Sequence, residues 1–209
     1  MLALLALLAQ EIDLGPWKLT LPVGRPDEVH ALATFESEHF ARVPGGLRFR
    51  APVDGKTTKN SSYPRCELRE RDAAWSTARG VHTMEIRQSI TRLPAKKPHL
   101  VAGQIHDAED DVVMIRLEKR RLFVEGGGRE LGLLDDDYRL GTPFTVALTA
   151  ADGRIRVAYN GEEKVAVDRR ADGCYFKAGV YVQSNLKKGD LPGEYGEVVI
   201  HALRISHAE

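Results

Sequence analysis

Three short stretches of this 209-residue chain carry side chains able to do acid, base and anion-binding chemistry, and strand alternation sorts them in each. In "RCELRE", residues 65 to 70, an extended backbone sends Arg65, Glu67 and Arg69 to one face and Cys66 and Leu68 to the other. In "GQIHD", Gln104 and His106 share a face and Ile105 opposes them. In "YFKAGVYVQ", residues 175 to 183, Phe176, Ala178, Val180 and Val182 make an apolar face, with Tyr175, Lys177, Gly179, Tyr181 and Gln183 opposite. Singly, each has an ordinary explanation. A charged stripe backed by core is usually a self-paired wet surface, since exposed ion pairs contribute little, and a lone Gln-x-His is more often a surface or core histidine than a site. Together they say more: if the three strands belong to one concave sheet, they line a groove with cations, amide donors, phenols and an imidazole. Such a groove suits an anionic polymer.

The elements that must position these groups are strands. "WKLTLPVG" and "GGLRFRAPV" alternate apolar and polar residues between Pro and Gly punctuation. "TMEIRQSI", "VVMIRLEKRRLFVE", "FTVALTAADGRIRVAYNGEEKVAVD" and "EVVIHALRIS" continue the series, with Asp152-Gly153 and Asn160-Gly161 as two-residue hairpin turns inside a three-strand meander. Helical periodicity is confined to the first ten residues and "DEVHALATF". No repeat or linker divides the chain, so the expectation is an all-β fold, a jelly-roll sandwich of two antiparallel sheets, as one domain over residues 11–209.

Composition agrees with one sizeable core: 43% of residues are hydrophobic. Thirty basic residues balance thirty acidic ones, so no global field draws the chain to nucleic acid or to an anionic membrane. The opening "MLALLALLAQ" is too short to span a bilayer and resembles the apolar heart of a secretory signal without its basic leader. A secreted or periplasmic protein is therefore expected, acting as a monomer. Cys66 and Cys174 lack the neighbours of a zinc site. Bordering two motif strands and pointing to the core side, they are expected within disulfide reach. "DAEDD", residues 107 to 111, lacks the glycine-turned spacing of a calcium loop and reads as a solvated turn.

"RCELRE", "QIH" and "YFKAGVYVQ", in that order, resemble the three signature segments of polysaccharide lyase family seven, the alginate lyases, and "WKLTLPVG" is similar to the family's first strand. Val182 stands where many members have Asn, on the face away from Tyr181. The resemblance implies a β-jelly roll and endolytic β-elimination on a uronic acid polymer such as alginate, with no cofactor. It also gives the residues roles. Arg65 and Gln104 would bind the substrate carboxylate and the enolate-like charge spreading onto it, with His106 assisting by hydrogen bond or charge. Tyr181 would be the acid; His106 would be the base on guluronate and Tyr181 the base on mannuronate, because the proton lies on opposite faces of the two sugars. A phenol near 10 needs neighbouring positive charge for that duty, and Arg65, Arg69 and Lys177 are candidates. Glu67, Arg69, Lys177 and Gln183 would hold flanking sugars or position the catalytic groups, and Glu67 could equally be the ion-pair partner that keeps Arg65 and Arg69 rigid. Ile105 rather than Val accompanies cleavage of guluronate-containing stretches in such proteins. Alternatives are a lyase on glucuronan, or a non-catalytic carbohydrate-binding sandwich. A glycoside hydrolase would need two carboxylates about 5 to 9.5 Å apart, and the motifs hold only Glu67.

Overall fold

In a computed structural model, described for residues 12–25 and 27–209, fifteen strands build two antiparallel sheets facing each other across one core. The strands are β1 (Trp17–Thr20), β2 (Glu28–Val29), β3 (Phe40–Val43), β4 (Gly46–Pro52), β5 (Arg65–Glu70), β6 (Val81–Arg92), β7 (His99–His106), β8 (Asp111–Glu118), β9 (Arg121–Gly126), β10 (Arg129–Asp135), β11 (Phe144–Ala151), β12 (Arg154–Tyr159), β13 (Glu162–Asp168), β14 (Tyr175–Val182) and β15 (Tyr195–Ala208). The eight-stranded sheet runs β10-β9-β8-β7-β14-β5-β1-β2 and the seven-stranded sheet β13-β12-β11-β6-β15-β4-β3. This is the expected jelly roll.

Alternation explains the layering. In β4, Leu47, Phe49 and Ala51 are buried while Arg48 and Arg50 on the other face are half-buried; each large apolar side chain so buried contributes about 1.5–3 kcal/mol. Asp152-Gly153 and Asn160-Gly161 close the β11–β12 and β12–β13 hairpins with positive φ at all four residues, the backbone that matches strand twist. The stretch 27–35 differs from its helical reading: Glu28 and Val29 pair with Thr20 and Leu19, and no helix forms there. The apolar opening, residues 1–10, lies outside the described residues.

The three motif strands are neighbours at the middle of the larger sheet, in the order β7-β14-β5. Against β5, β14 pairs without interruption, Lys177 opposite Arg69 and Tyr181 opposite Arg65. Against β7 it carries one extra residue, because Lys177 faces Gln104 but Tyr181 faces Val101. Gly179 sits in that interval at φ +135, where a Cβ would come within 2.5 Å of the Cys66 carbonyl oxygen; only glycine lets the strands close up here. Glu70, at the end of β5, accepts hydrogen bonds from the Phe176 backbone N–H at 3.0 Å, from Trp75 Nε1 at 3.1 Å and from His207 Nε2 at 2.6 Å, and so ties β5 to β14 and β15.

The same register corrects the cysteine expectation. Cys66 lies opposite Val180, whereas Cys174 precedes the strand at its far end, bridged to Trp75. Both are buried free thiols, separated along the strand direction by about six residues, or about 20 Å. Shared facing was inferred from alternation, but alternation says nothing about position along a strand.

Candidate active site

A cleft of about 470 Å³ crosses the larger sheet, within the usual size of ligand sites. Its lining starts at Glu28 on β2 and Thr20 on β1, passes Arg65 and Arg69 on β5, Tyr175, Lys177 and Tyr181 on β14, and Gln104 and His106 on β7, and ends at Asp111 and Met114 on β8. Those six adjacent strands span about 24 Å at ordinary strand spacing. A linear polymer lying through the cleft would cross the strands, with the three motifs under its middle.

Beneath the floor lies Glu67, fully buried. Its carboxylate accepts from Arg65 Nη1 at 3.2 Å, Lys177 Nζ at 2.8 Å and Gln104 Nε2 at 2.5 Å. Burial alone would raise its pKa, but the Lys177 and Arg65 charges overrule that and hold it below the usual carboxylate range. Lys177 shows the opposite balance: burial pushes it down to about 8 despite Glu67. One carboxylate thus fixes three groups on three strands. Because a carboxylate only accepts, the Gln104 amide nitrogen must face Glu67, leaving its second N–H for another acceptor. Arg65 Nε is buried and has no hydrogen-bond partner among the described residues, a further donor in the same place.

The proton-carrying groups stand to either side. His106 Nδ1 lies 2.7 Å from the Asp107 carbonyl oxygen, which can only accept, so that nitrogen carries the hydrogen, the Tyr175 hydroxyl 3.0 Å from it does not donate to it, and Nε2 keeps its lone pair. Burial lowers the His106 pKa and the Lys177 and Arg65 charges push the same way, so the imidazole is neutral at pH 7. A neutral ring with a free Nε2 is a base, and this favours that role over charge assistance. Tyr175 stacks on His106 with centroids 5.3 Å apart, and burial raises its pKa, which disfavours it as a base. Tyr181 lies under the Arg65 guanidinium, 3.7 Å from its ring centroid, and its hydroxyl meets Ser61 Oγ at 2.9 Å.

Of the eight residues singled out in the sequence, six line the cleft: Arg65, Arg69, Gln104, His106, Lys177 and Tyr181. Glu67 and Gln183 do not. Glu67 faces the same way as its neighbours but is fully buried beneath the groups it binds, holding Arg65, Lys177 and Gln104 from below the cleft surface. Gln183 follows the end of β14, buried, with its amide nitrogen on the Val182 carbonyl at 3.4 Å. Alternation carried it one pleat past the strand.

The loop from Thr58 to Ser61 and the run Ala108 to Asp111 also line the cleft, and neither was expected to. The "DAEDD" run is a turn, since Asp107 Oδ1 accepts from the Glu109 and Asp110 N–H groups at 2.8 Å each. It ends at Asp111, pushed up to about 6 by burial and by the Asp110 and Glu125 carboxylates. One rim is therefore acidic beside a cationic floor. The signal for both segments was adjacency: each directly flanks a motif strand, ahead of Arg65 or after His106.

A sequence model described as alginate lyase matches residues 12–207. Among solved structures, the alginate lyase AlgAT5 of polysaccharide lyase family 7 superposes with a TM-score of 0.93 at 50% identity, over 95% of this chain and 97% of that one. The alginate lyase from Corynebacterium sp. superposes with a TM-score of 0.90 at 40% identity, over 96% and 97%. A variant of the family 7 alginate lyase A1-II′, solved in complex with a GGG product, gives 0.83 at 28% identity over 96% and 99%.

Proposed function

Since the chain belongs to the alginate lyases of polysaccharide lyase family 7, we propose that it cuts alginate endolytically by β-elimination and prefers guluronate-containing stretches. The observation that carries this reading is the register of three adjacent strands, which sets Arg65 beside Tyr181 and Gln104 beside Lys177, with His106 one pleat beyond. A cleft lined on both sides of this set supports attack within a chain. Product GGG in A1-II′ supports a guluronate preference, as does Ile105 in the sequence, though Ile105 is fully buried and acts only through the seat of its strand.

The chemistry follows from the charges. The proton beside a uronate carboxylate is a poor acid while the carboxylate keeps its full charge. Arg65 and Gln104 take that carboxylate, and their fixed donors stabilise the charge that flows onto it. On guluronate, His106 Nε2 takes the C5 proton. The C5–H electron pair becomes the C4–C5 double bond as the C4–O bond breaks, and the leaving oxygen takes the Tyr181 proton. On mannuronate, Tyr181, its own proton first lost to solvent, takes the C5 proton as phenolate and passes it to the leaving oxygen. No water is consumed: one fragment ends in a hydroxyl and the other in an unsaturated uronate.

The test is incubation with alginate, polyguluronate, polymannuronate and glucuronan, following ultraviolet absorbance of the unsaturated product and solution viscosity. Expected are absorbance on alginate, a faster rate on polyguluronate than on polymannuronate, and an early viscosity drop. Reducing ends without the conjugated double bond would refute elimination. Faster cleavage of polymannuronate, or activity confined to glucuronan, would refute the preference alone.

A further inference from the structure

We propose that Ser61 is a positioning residue for Tyr181, its hydroxyl serving that phenol in both protonation states; this rests on Tyr181 being the proton carrier of the lyase reaction. Four groups meet at Ser61 Oγ if its own hydrogen is counted. Tyr63 N–H donates to it at 3.1 Å, the Tyr63 carbonyl oxygen lies at 2.9 Å and the Tyr181 hydroxyl at 2.9 Å. A serine hydroxyl has one proton and two lone pairs. The Tyr63 carbonyl can only accept, so the Ser61 proton goes there; the Tyr63 N–H can only donate, so it takes one lone pair. The remaining lone pair faces Tyr181, which must then be the donor. In the resting protein the phenol proton points at Ser61.

Once Tyr181 has given up its proton, that arrangement puts two lone pairs in contact. Turning the Ser61 O–H from the Tyr63 carbonyl to the phenolate removes the conflict and makes a charge-assisted hydrogen bond, roughly twice as strong as the neutral one it replaces. Tyr63 itself is only half-buried. The loop holds Oγ in place for this rotation: Asn185 Nδ2 donates to the Ser62 carbonyl at 2.9 Å, and Lys97 Nζ to the Tyr63 hydroxyl at 3.3 Å. The other groups facing the phenol are the Arg65 guanidinium over its ring and the Tyr63 ring at 6.5 Å, with the Lys97 ammonium behind it. These are present in either state, whereas the Ser61 proton can follow the charge.

The duty falls unequally on the two sugars. On guluronate Tyr181 acts as acid only, while on mannuronate it must first be a base, so the phenolate has to exist before reaction begins. Ser61→Ala should therefore lower kcat on polymannuronate by about 10- to 100-fold, the worth of a hydrogen bond to a charged group, and on polyguluronate only a few-fold. KM should stay within about two-fold on both. Ser61→Thr, which keeps the hydroxyl, should recover most of the loss, and melting temperatures of both variants should stay within about 4 °C of the parent, the worth of the loop hydrogen bonds at Oγ. Equal loss on both polymers, an unchanged polymannuronate rate, or a Thr variant no better than Ala would overturn the proposal. A parent protein that cuts polyguluronate and never polymannuronate also overturns it, since no base duty then falls on Tyr181. Absence of unsaturated product from the parent on every uronan is a different failure, that of the lyase reading itself.

Discussion

Glu67→Gln is the most informative single change, because it keeps the shape of the side chain and deletes only its charge and part of its accepting capacity. In the parent, Arg65 and Lys177 both sit on this buried carboxylate, at 3.2 and 2.8 Å. Removing one member of a buried ion pair costs about 3–5 kcal/mol, because the partner charge is left without compensation. Here two partners are left, yet Lys177 already stands at about 8 and can shed its proton at pH 7 for about 1.4 kcal/mol. The expected loss is thus at the low end, about 3 kcal/mol, or roughly 6–12 °C in Tm for a domain of this size. The penalty should shrink at pH 9, where Lys177 is mostly neutral in the parent as well. At acid pH the sign is set by Glu67: its folded pKa lies below the unfolded value of about 4.3, so its contribution is complete above that pH and vanishes as pH falls through the folded value. The Gln variant should therefore lose less stability than the parent on acidification. Thermal melts at pH 3.5, 7 and 9, with turnover on polyguluronate, measure all of this, and kcat should fall more than KM changes because Gln104 and Arg65 lose their common anchor. A variant as stable and active as the parent at pH 7, or a Tm loss equal at pH 7 and 9, would refute the reasoning.

Tyr181→Phe keeps the ring under Arg65 and deletes the proton-carrying oxygen; turnover should collapse by at least about 10²-fold with the fold intact by circular dichroism, and near-normal turnover would remove Tyr181 from the chemistry. Lys177 predicts an alkaline limb: above pH about 8 it loses its positive charge, so kcat/KM for a polyanion should decline there, and Lys177→Arg should move the limb upward. Thiol titration of unfolded, unreduced protein should find two free cysteines, given their separation along β14; none would mean that the strand register described is wrong.

Much of the fold was legible in the sequence because its strands are half-buried on one side and alternation is a direct record of that. The hairpin turns were legible for an equally local reason, since only Asn, Asp or Gly sit easily at positive φ. The site was legible in part. Alternation assigns a face, and it put Arg65, Gln104, His106, Lys177 and Tyr181 on the right one. It does not assign depth or position along the neighbour, which depend on pairing partners about 70 to 116 residues apart. Glu67 therefore read either as a contact for sugar or as an ion-pair partner of its neighbours and lies beneath them, paired with Arg65; Gln183 read as a further groove residue and lies past the strand end, and two cysteines that share a face lie at opposite ends of it. The residues 27–35 carry a helical spacing, but two of them are drawn into pairing with β1, a tertiary contact that overrides a weak local preference.

The place of β14 has a consequence for how the molecule comes into being. It is the strand between β7 and β5, yet in chain order only one strand, β15, follows it. A chain emerging from the ribosome therefore presents β5 and β7 with open edges until residue 175 has been made, and unpaired edges of this kind invite association with other chains. Such closures between distant segments are also slow. The half-built sheet would have to be shielded, by a chaperone or by delay of folding, until its middle arrives. Activity should accordingly appear only with the near-complete chain, and a truncation before Tyr175 should yield an aggregating product with no partial function, since the strand that is missing supplies both Tyr181 and the seam that joins the two halves of the sheet.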